Sequence, residues 1–434
     1  MRSHDRQIWQ LAVPAFLTLV TEPLFLLADS AIIGHVGTRE LAGLGVAGVI
    51  LQTLVGLCVF LAYGTTAAVA RSLGAGDRRA AVAQGVDGLW LAAIIGTLVT
   101  IPVAVGADPL VRSLGAGGAL TAPATTYLQI AVLGTTPLLL MLAATGVLRG
   151  FWDTRTPLIV AVAANLLNVV LNFVLVFGFG WGIAGSAIGS VVAQSLAAVA
   201  LVGTVAAKAR REQASLRPHR AGIRRAAHSA VPLVVRTLTL RLALLVTVYA
   251  VGRLSADTEV ELAAHQLAMT IWTFLAFTLD ALAIAAQAIT GRWLGAGDRA
   301  TARALTRRLI GWGVVVGVGT GVLLAALSPV LPGLFTDDPA VVDAVFVLLL
   351  VIAVGQPICG VVFVLDGVLI GAGDGRYLAW AMLACLAVYL PCLVLAPSLV
   401  WVWIAFSAVF MGARCVVLVQ RERTDAWLVL GAAR

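Results

Sequence analysis

The stretch Leu-Gly-Ala-Gly-Asp-Arg at residues 73–78 recurs unchanged at residues 294–299, which lie 221 positions later. The same distance separates two further repeated phrases, Gly-Val-Leu (146–148 and 367–369) and Glu-Leu-Ala (40–42 and 261–263). Recurrence at one fixed distance indicates that the chain consists of two copies of one structural unit. The fold therefore depends on what a single copy forms.

The composition is that of a membrane protein. Hydrophobic residues make up 61% of the 434 residues, charged residues make up 12%, and the mean hydropathy is +1.01. Continuous apolar runs long enough to cross about 30 Å of hydrocarbon predict helices. The runs lack the alternation of an outer-membrane barrel. We predict an all-α polytopic membrane protein with twelve transmembrane helices, which begin near Ile8, Leu41, Ala80, Ala119, Pro157, Gly185, Ala226, Glu261, Ala300, Pro339, Tyr377 and Leu399.

Six helices per copy is an even number, so the second copy enters the membrane from the same side as the first. This predicts two parallel six-helix lobes related by pseudo-two-fold symmetry along the membrane normal. We place the N-terminal lobe at residues 1–207, a cytoplasmic basic linker at residues 208–225 and the C-terminal lobe at residues 226–434. Charge and Pro218 mark the linker as a surface segment.

The basic residues predict the orientation. Of the 29 Lys and Arg residues, 23 fall before, between or after the predicted helices on one side. Because cytoplasmic loops carry such an excess, we expect both termini in the cytoplasm and a multi-pass protein of the plasma (inner) membrane. The net charge of +8 is then an orientation signal next to the lipid bilayer, and it does not indicate nucleic-acid binding.

Cysteine and histidine give no sign of a metal or redox site. The five cysteines lie inside apolar runs without paired spacing, and the five histidines are scattered. We therefore predict no metal site, no disulfide framework and no cofactor. A membrane-embedded enzyme needs clustered His/Asp or Ser/His/Asp groups, which the sequence lacks, so we expect a protein that is not an enzyme. Separately, we expect a monomer.

The repeated Leu-Gly-Ala-Gly-Asp-Arg phrase resembles a phosphate-binding loop only superficially, because the lysine and Ser/Thr of such a loop are missing. A glycine after an apolar helix is typical of a C-cap, and Asp77 and Asp298 stand where they can N-cap the following helices. We interpret both phrases as capped turns.

Two acidic residues of the first helix are candidates for ion coupling, because ionisable groups at membrane depth are costly and usually functional. Glu22 and Asp29 are seven residues apart, so they lie on nearly the same face, about 10 Å apart along the axis. Pro14 and Pro23 each remove a hydrogen bond and favour a kink, which predicts a helix hinge. Alternatively, Asp29 lies near the outer interface and is simply solvated.

The fifth helix presents a matching polar stripe, because Asn165, Asn168 and Asn172 share one face. Their amides can hydrogen-bond a carboxyl group, or they can join helices at about 1 kcal/mol each. In the second copy the equivalent positions are Leu386, Tyr389 and Leu393, and neither acid of the first helix has an acidic counterpart. We therefore predict that coupling belongs to the N-terminal lobe.

The C-terminal lobe has its own charges at membrane depth. Asp280 and Asp366 are placed where they can pair with Arg236 or Arg241 of the seventh helix. Mutual neutralisation is the role we expect for these ion pairs. For Asp87 in the third helix, the cost of an acid at membrane depth is the only sign of a role, and the sequence does not indicate a partner.

Several motifs together resemble one transporter family: the repeated capped turn, Gly-Val-Leu-Ile-Gly-Ala-Gly-Asp at residues 367–374, and Phe-Gly-Phe-Gly-Trp-Gly-Ile-Ala-Gly at residues 177–185. The first helix, with Thr-Glu-Pro-Leu (21–24) leading to Asp-Ser-Ala-Ile-Ile-Gly-His (29–35), is similar to the DNA-damage-inducible protein F (DinF)-like branch of the multidrug and toxic compound extrusion (MATE) family. The resemblance implies a cation-driven antiporter that expels lipophilic, often cationic, drugs or metabolites by alternating access.

The resemblance also bears on the coupling ion. In many MATE proteins the position of Asn172 is an acid, so Asp29 is here the single carboxylate of the implied site. The acids that mark the sodium-coupled branch are absent, which favours protons as partners beside the small-molecule substrate. Two alternatives stay open: a sodium-coupled exporter, and a lipid-linked oligosaccharide flippase of the same superfamily in which Arg236 and Arg241 face a pyrophosphate.

Overall fold

The structure is a computed structural model that describes residues 2–115, 117–254 and 258–431. These residues form helices and connecting turns and contain no strand. Twelve of the helical segments are long and apolar enough to cross a membrane. The predicted all-α fold with twelve transmembrane helices is therefore confirmed.

The chain forms two compact units. The N-terminal unit is Leu17–Ala230, and the C-terminal unit combines Met1–Phe16 with Val231–Arg434. The first residues of the chain thus belong with the second copy of the repeat, a grouping that the repeat itself does not indicate. The lobe boundaries at residues 207 and 226, and the pseudo-two-fold relation of the lobes, stay predictions.

The first half of the chain contains six membrane spans, some built from more than one helix. Its α-helices are α1 (Arg2–Gly34), α2 (Thr38–Leu57), α3 (Phe60–Gly74), α4 (Arg78–Val105), α5 (Ala107–Ser113), α6 (Thr121–Ala131), α7 (Thr135–Gly150), α8 (Arg155–Asn172) and α9 (Gly182–Arg211). Short 3₁₀ turns occupy Gly118–Leu120 and Val132–Gly134, and a π-helical segment, Phe173–Gly178, extends α8.

The second half repeats the pattern with seven α-helices. They are α10 (Arg220–Val251), α11 (Thr258–Gly295), α12 (Arg299–Leu327), α13 (Pro339–Gly371), α14 (Gly375–Val394), α15 (Leu399–Ile404) and α16 (Met411–Arg423). A 3₁₀ turn lies at Pro332–Leu334, and a π-helical segment, Ala405–Phe410, joins α15 to α16. The largest differences from the predicted starts are six residues, at α1, which begins at Arg2 where Ile8 was expected, and at α10, which begins at Arg220 where Ala226 was expected. At α10 the reason is that the end of the basic linker is helical.

The two copies of the repeated phrase are capped turns, as predicted. The Asp77 carboxylate accepts a hydrogen bond from the amide of Ala80 at 2.8 Å, and Asp298 accepts one from Thr301 at 2.9 Å. The glycines before them have φ of 82° and 76°, the left-handed conformation that favours glycine. Hydrogen bonds from Thr301 hold the pKa of the Asp298 carboxyl below its ordinary value.

Small residues let the helices of the C-terminal unit approach closely. A Cβ atom on Gly360 of α13 would overlap the carbonyl of Gly313 in α12, and one on Gly367 would overlap the carbonyl of Ala283 in α11. In lipid there is no hydrophobic driving force between helices, so helices associate through close backbone contact at small residues. Helix α13 is therefore held between α11 and α12.

Candidate functional site

Asp29 of α1 is the centre of a polar network inside the N-terminal unit, and only 2% of its surface is exposed. Three side chains donate hydrogen bonds to its carboxylate. Ser186 Oγ and Asn172 Nδ2 lie 2.6 Å and 2.7 Å from Oδ1. The Tyr127 hydroxyl lies 3.2 Å from Oδ2. The site therefore draws on four helices: α1, α6, α8 and α9.

A second shell of amide and hydroxyl groups continues the network through Asn168. Asn172 Nδ2 also donates to Asn168 Oδ1 at 3.1 Å, and Asn168 Nδ2 donates to Ser190 Oγ at 3.0 Å. Both asparagines are buried. Asn172 Oδ1 has no hydrogen-bond partner among the described residues, so the network keeps one spare acceptor beside the carboxylate.

Local sequence places α8 and α9 close enough to form the network. Asn172 is the last residue of α8 before the π-helical segment, a widened turn often found at functional sites. A Cβ on Gly189 would come 2.8 Å from Asn172 Oδ1, and one on Gly185 would come 2.9 Å from the Leu175 carbonyl carbon. The Gly-Ser pairs of α9 thus combine close approach with a hydroxyl that faces Asp29 or Asn168.

Apolar residues enclose the carboxylate. Ile33, one turn beyond Asp29, belongs to a buried cluster with Tyr127, Val176 and Ile183. Water is therefore excluded from this part of the unit, and hydrogen bonds to Asp29 replace those that water would make. A buried charge without such donors is too costly to persist.

The network can serve either protonation state of Asp29. Three donated hydrogen bonds suit an ionised carboxylate. A protonated carboxyl needs an acceptor for its own O–H, and the hydroxyls of Tyr127 and Ser186 can rotate to accept. The spare oxygen of Asn172 offers another. Among the described residues, no group of three or more His, Cys, Asp or Glu side chains is placed to hold a metal ion.

The other predicted residues of the N-terminal lobe lie outside this network. Glu22 is exposed and is not a partner of Asp29. Asn165 Nδ2 donates to the backbone carbonyl of Thr21 in α1 at 2.9 Å, so it joins α8 to α1. Pro14 and Pro23 both lie within α1, which stays helical from Arg2 to Gly34. Their role as hinges stays a prediction.

The charges of the C-terminal unit form a buried cluster around Asp366 of α13. Arg236 of α10 donates to both carboxylate oxygens, and Arg414 of α16 donates to Oδ2 at 3.1 Å. Arg241 is exposed and does not belong to the ion pairs between described residues. Asp280 lies in α11 and is half-buried. Two guanidinium groups thus neutralise the buried carboxylate of Asp366.

The repeat offers an internal comparison with the Asp29 network. At the 221-residue distance Tyr389 stands where the first copy has Asn168. Thr247 corresponds to Asp29 at the 218-residue distance that relates Val13-Pro14 to Val231-Pro232. The hydroxyl oxygens of Thr247 and Tyr389 are 2.8 Å apart. The Tyr389 ring packs on Phe406 and Phe410 at centroid distances of 6.4 Å and 5.1 Å. This part of the C-terminal unit is thus neutral and aromatic.

Sequence reasoning missed four residues that the structure adds: Tyr127, Ser186 and Ser190 at the Asp29 network, and Arg414 as a partner of Asp366. The repeated Gly-Ser pairs at residues 185–186 and 189–190 share one helical face and were a usable signal. Tyr127 gave none, because a single tyrosine in an apolar run has no pattern. Arg414 is a basic residue inside an apolar run, and its spacing does not indicate Asp366 as its partner.

Twelve apolar helices among the described residues, with a buried, hydrogen-bonded carboxylate inside the N-terminal unit, are typical of a multi-pass membrane transporter. The sequence profile of the MatE family matches residues 14–174 and 232–395. The chain therefore belongs to this family of multidrug and toxic compound efflux transporters, and the predicted family resemblance is confirmed.

Individual relatives agree with this assignment. Protein DETOXIFICATION 44, chloroplastic, of Arabidopsis thaliana is 32% identical over 448 residues, which cover 98% of this chain and 84% of that protein. DNA damage-inducible protein F of Escherichia coli is 30% identical over 305 residues, which cover 69% of this chain and 65% of that protein. The bent form of the Vibrio cholerae MATE transporter VcmN superposes with a TM-score of 0.89 at 21% identity, over 98% of this chain and 99% of that one. That likeness shows the shared fold.

Proposed function

We propose that this protein is a proton-coupled antiporter that exports lipophilic, cationic drugs or metabolites by alternating access, acting as a monomer. The observation that carries the proposal is the buried carboxylate of Asp29 with its three hydrogen-bond donors. A group of this kind can exist charged or neutral inside a membrane protein, which coupling to protons requires.

Two opposing effects balance the charged and neutral forms. Burial removes water from the carboxylate and favours the neutral acid, whereas the donors Ser186, Asn172 and Tyr127 favour the ion. A small change in either effect then moves the proton on or off. Loss of one donor, or entry of water beside Ile33, is sufficient in principle.

Coupling follows if proton and substrate bind the same state with different affinity. In our mechanism the ionised Asp29 attracts a lipophilic cation while the transporter is open inward. When it is open outward, a proton neutralises Asp29 and the cation leaves. A proton that enters the cell gains about 2.3 kcal/mol per 100 mV of membrane potential, in addition to the pH term.

The partners of Asp29 favour a proton over a sodium ion. Sodium needs several oxygen atoms that point lone pairs at one position. Two hydroxyls and one amide N–H point hydrogens at the carboxylate instead, and only Asn172 Oδ1 is a spare acceptor nearby. A protonated carboxyl, by contrast, requires just one acceptor.

The flippase alternative is less well supported. It requires free positive charge for a pyrophosphate, but Arg236 and Arg414 both bind Asp366. Arg241 is exposed and does not join that cluster. The excess of Lys and Arg on one side supports a plasma-membrane orientation with both termini in the cytoplasm.

The decisive experiment uses purified protein in proteoliposomes with an internal pH-sensitive dye. Addition of the lipophilic cation rhodamine 6G should drive proton movement in the wild type and none in Asp29→Asn, with imposed sodium gradients having no effect. Asp108→Asn is the matched control, because Asp108 is an exposed acid of the same unit that pairs with Arg112. Wild-type coupling in Asp29→Asn would remove the residue from the mechanism.

A further inference from the structure

The basic linker is a folded part of the N-terminal unit. We call residues 212–225 the basic strap: it covers the irregular segment between α9 and α10 and the first turns of α10. Three of its contacts fall along α4. Glu212 pairs with Arg78 at 2.7 Å, and the Trp90 indole N–H donates to the Leu216 carbonyl at 3.0 Å. The third contact involves Asp87.

Asp87 holds the start of α10 against α4. The backbone of His219 hydrogen-bonds its carboxylate, and the His219 ring accepts from the amide of Gly222 at 3.2 Å. A Cβ atom on Gly222 would overlap the Asp87 carboxylate, so this position requires glycine for the close approach. The acid that had no partner in the sequence is therefore the anchor of the basic strap.

The length of α4 and its exposed residues indicate that the strap lies at the membrane interface. Helix α4 has 28 residues, and at 1.5 Å per residue it exceeds the hydrocarbon thickness by roughly eight residues. At the C-terminal end of α4, Leu98, Ile101 and Val105 are exposed and apolar, as expected of residues that face lipid. The residues of α4 that exceed the hydrocarbon thickness therefore lie at its N-terminal end, near Arg78. Trp90 is 39% exposed, and tryptophan is enriched at the membrane interface.

A row of arginines faces away from α4. Arg220 and Arg224 are four residues apart and share one face of α10, and Arg217 precedes them. All three are exposed, while Gly222 between them is buried. The ion pairs between described residues involve none of the three. Guanidinium groups bind phosphate through two parallel hydrogen bonds.

We propose that the basic strap is a binding surface for acidic phospholipids, in which Arg217, Arg220 and Arg224 contact the headgroup phosphates. Docking on α4 fixes the backbone of the row before any lipid binds, so binding does not have to order a flexible segment. The proposal is independent of Asp29, and it goes beyond the transport function.

The test is lipid selectivity in phosphatidylcholine vesicles that contain trace spin-labelled phosphatidylglycerol or phosphatidylcholine. Each basic residue at such a surface contributes about fivefold to association with anionic lipid. We expect R217Q/R220Q/R224Q to lower the preference for phosphatidylglycerol at least fivefold, and the corresponding triple Lys variant to retain most of it. Wild-type preference in the triple Gln variant would overturn the proposal.

A matched control removes the same charge elsewhere. R39Q/R112Q/R253Q lacks three arginines that the sequence places outside the cytoplasmic side, and we expect it to keep the wild-type preference for phosphatidylglycerol. If it lost as much of that preference as R217Q/R220Q/R224Q, net charge alone would attract the lipid. Soluble glycerol phosphate shares the phosphate chemistry and should not displace the labelled lipid, whereas displacement would assign the row to a free anion. Asp87→Asn keeps every arginine but loosens the docking, so an unchanged preference there would overturn the role of docking.

Discussion

The Ser186→Ala variant tests whether the donors around Asp29 set its protonation. Ser186 Oγ lies 2.6 Å from Oδ1 of Asp29, the shortest of the three bonds to that carboxylate. The bond stabilises the ionised form, because a protonated carboxyl oxygen is a weaker acceptor. Its removal should therefore leave Asp29 protonated up to a higher pH.

The size of the effect follows from the type of bond. A hydrogen bond to a charged group contributes about 1.5–3 kcal/mol, and 1.36 kcal/mol corresponds to one pH unit. We therefore expect the midpoint of Asp29 titration to move upward by about 1–2 pH units in Ser186→Ala. The midpoint of rhodamine 6G binding, which in our mechanism requires the ionised carboxylate, should move with it.

The assay is a pH titration of the protonated-carboxyl band in infrared difference spectra, with Asp29→Asn to assign the band. Ser195→Ala is the matched control: Ser195 lies on the same helix, is half-buried and donates only to the backbone carbonyl of Val191. A wild-type midpoint in Ser186→Ala would refute the argument. So would an equal shift in both variants.

Two further predictions concern stability. Arg414→Leu leaves Asp366 with one fewer buried partner and should lower the free energy of unfolding by about 3–5 kcal/mol. Arg241→Leu, at an exposed site, should change the free energy of unfolding by less than about 0.5 kcal/mol. Denaturant titration of both variants in detergent measures the difference. Gly317→Ala places a methyl group 2.6 Å from the Gln356 carbonyl oxygen, whereas Gly319 on the same helix faces open space. We therefore expect Gly317→Ala to lower the temperature of thermal unfolding and Gly319→Ala to leave it unchanged. Equal unfolding temperatures in the two variants would contradict the packing of α12 on α13.

The helices could be predicted from the sequence because membrane burial is a strong and local constraint. A run of about 20 apolar residues has few alternatives to a helix in lipid. The capped turns at Asp77 and Asp298 were also local, because the glycine and the acid act within one turn. The start of α10 was missed, because its N-cap is the ring of His219, and histidine is not among the residues that usually cap helices.

The candidate site was predictable only where periodicity carried the information. The spacing of Asn165, Asn168 and Asn172 placed all three on one face, but the structure separates their roles. Asn172 donates to Asp29, Asn168 accepts from Asn172, and Asn165 donates to the backbone of α1. Seven-residue spacing likewise put Glu22 on the face of Asp29 without bringing it into the network. Periodicity along one helix predicts the direction in which a side chain points. The position of the neighbouring helix, which the sequence does not give, decides which group that side chain contacts.

The duplicated chain allows equivalent positions of the two copies to be compared, and this comparison bears on coupling. Two copies of one unit begin with the same capacity for a polar centre, and both retain hydroxyl groups there, at Ser186 in one and at Thr247 and Tyr389 in the other. Among the described residues at these equivalent positions, the first copy has a carboxylate, Asp29, and the second has none. In the second, aromatic rings surround Tyr389, and the buried acid Asp366 is bound by two arginines. In the mechanism that we propose, a proton that binds Asp29 therefore changes the charge of the N-terminal unit, and such an asymmetric response is what directional export requires of a duplicated chain.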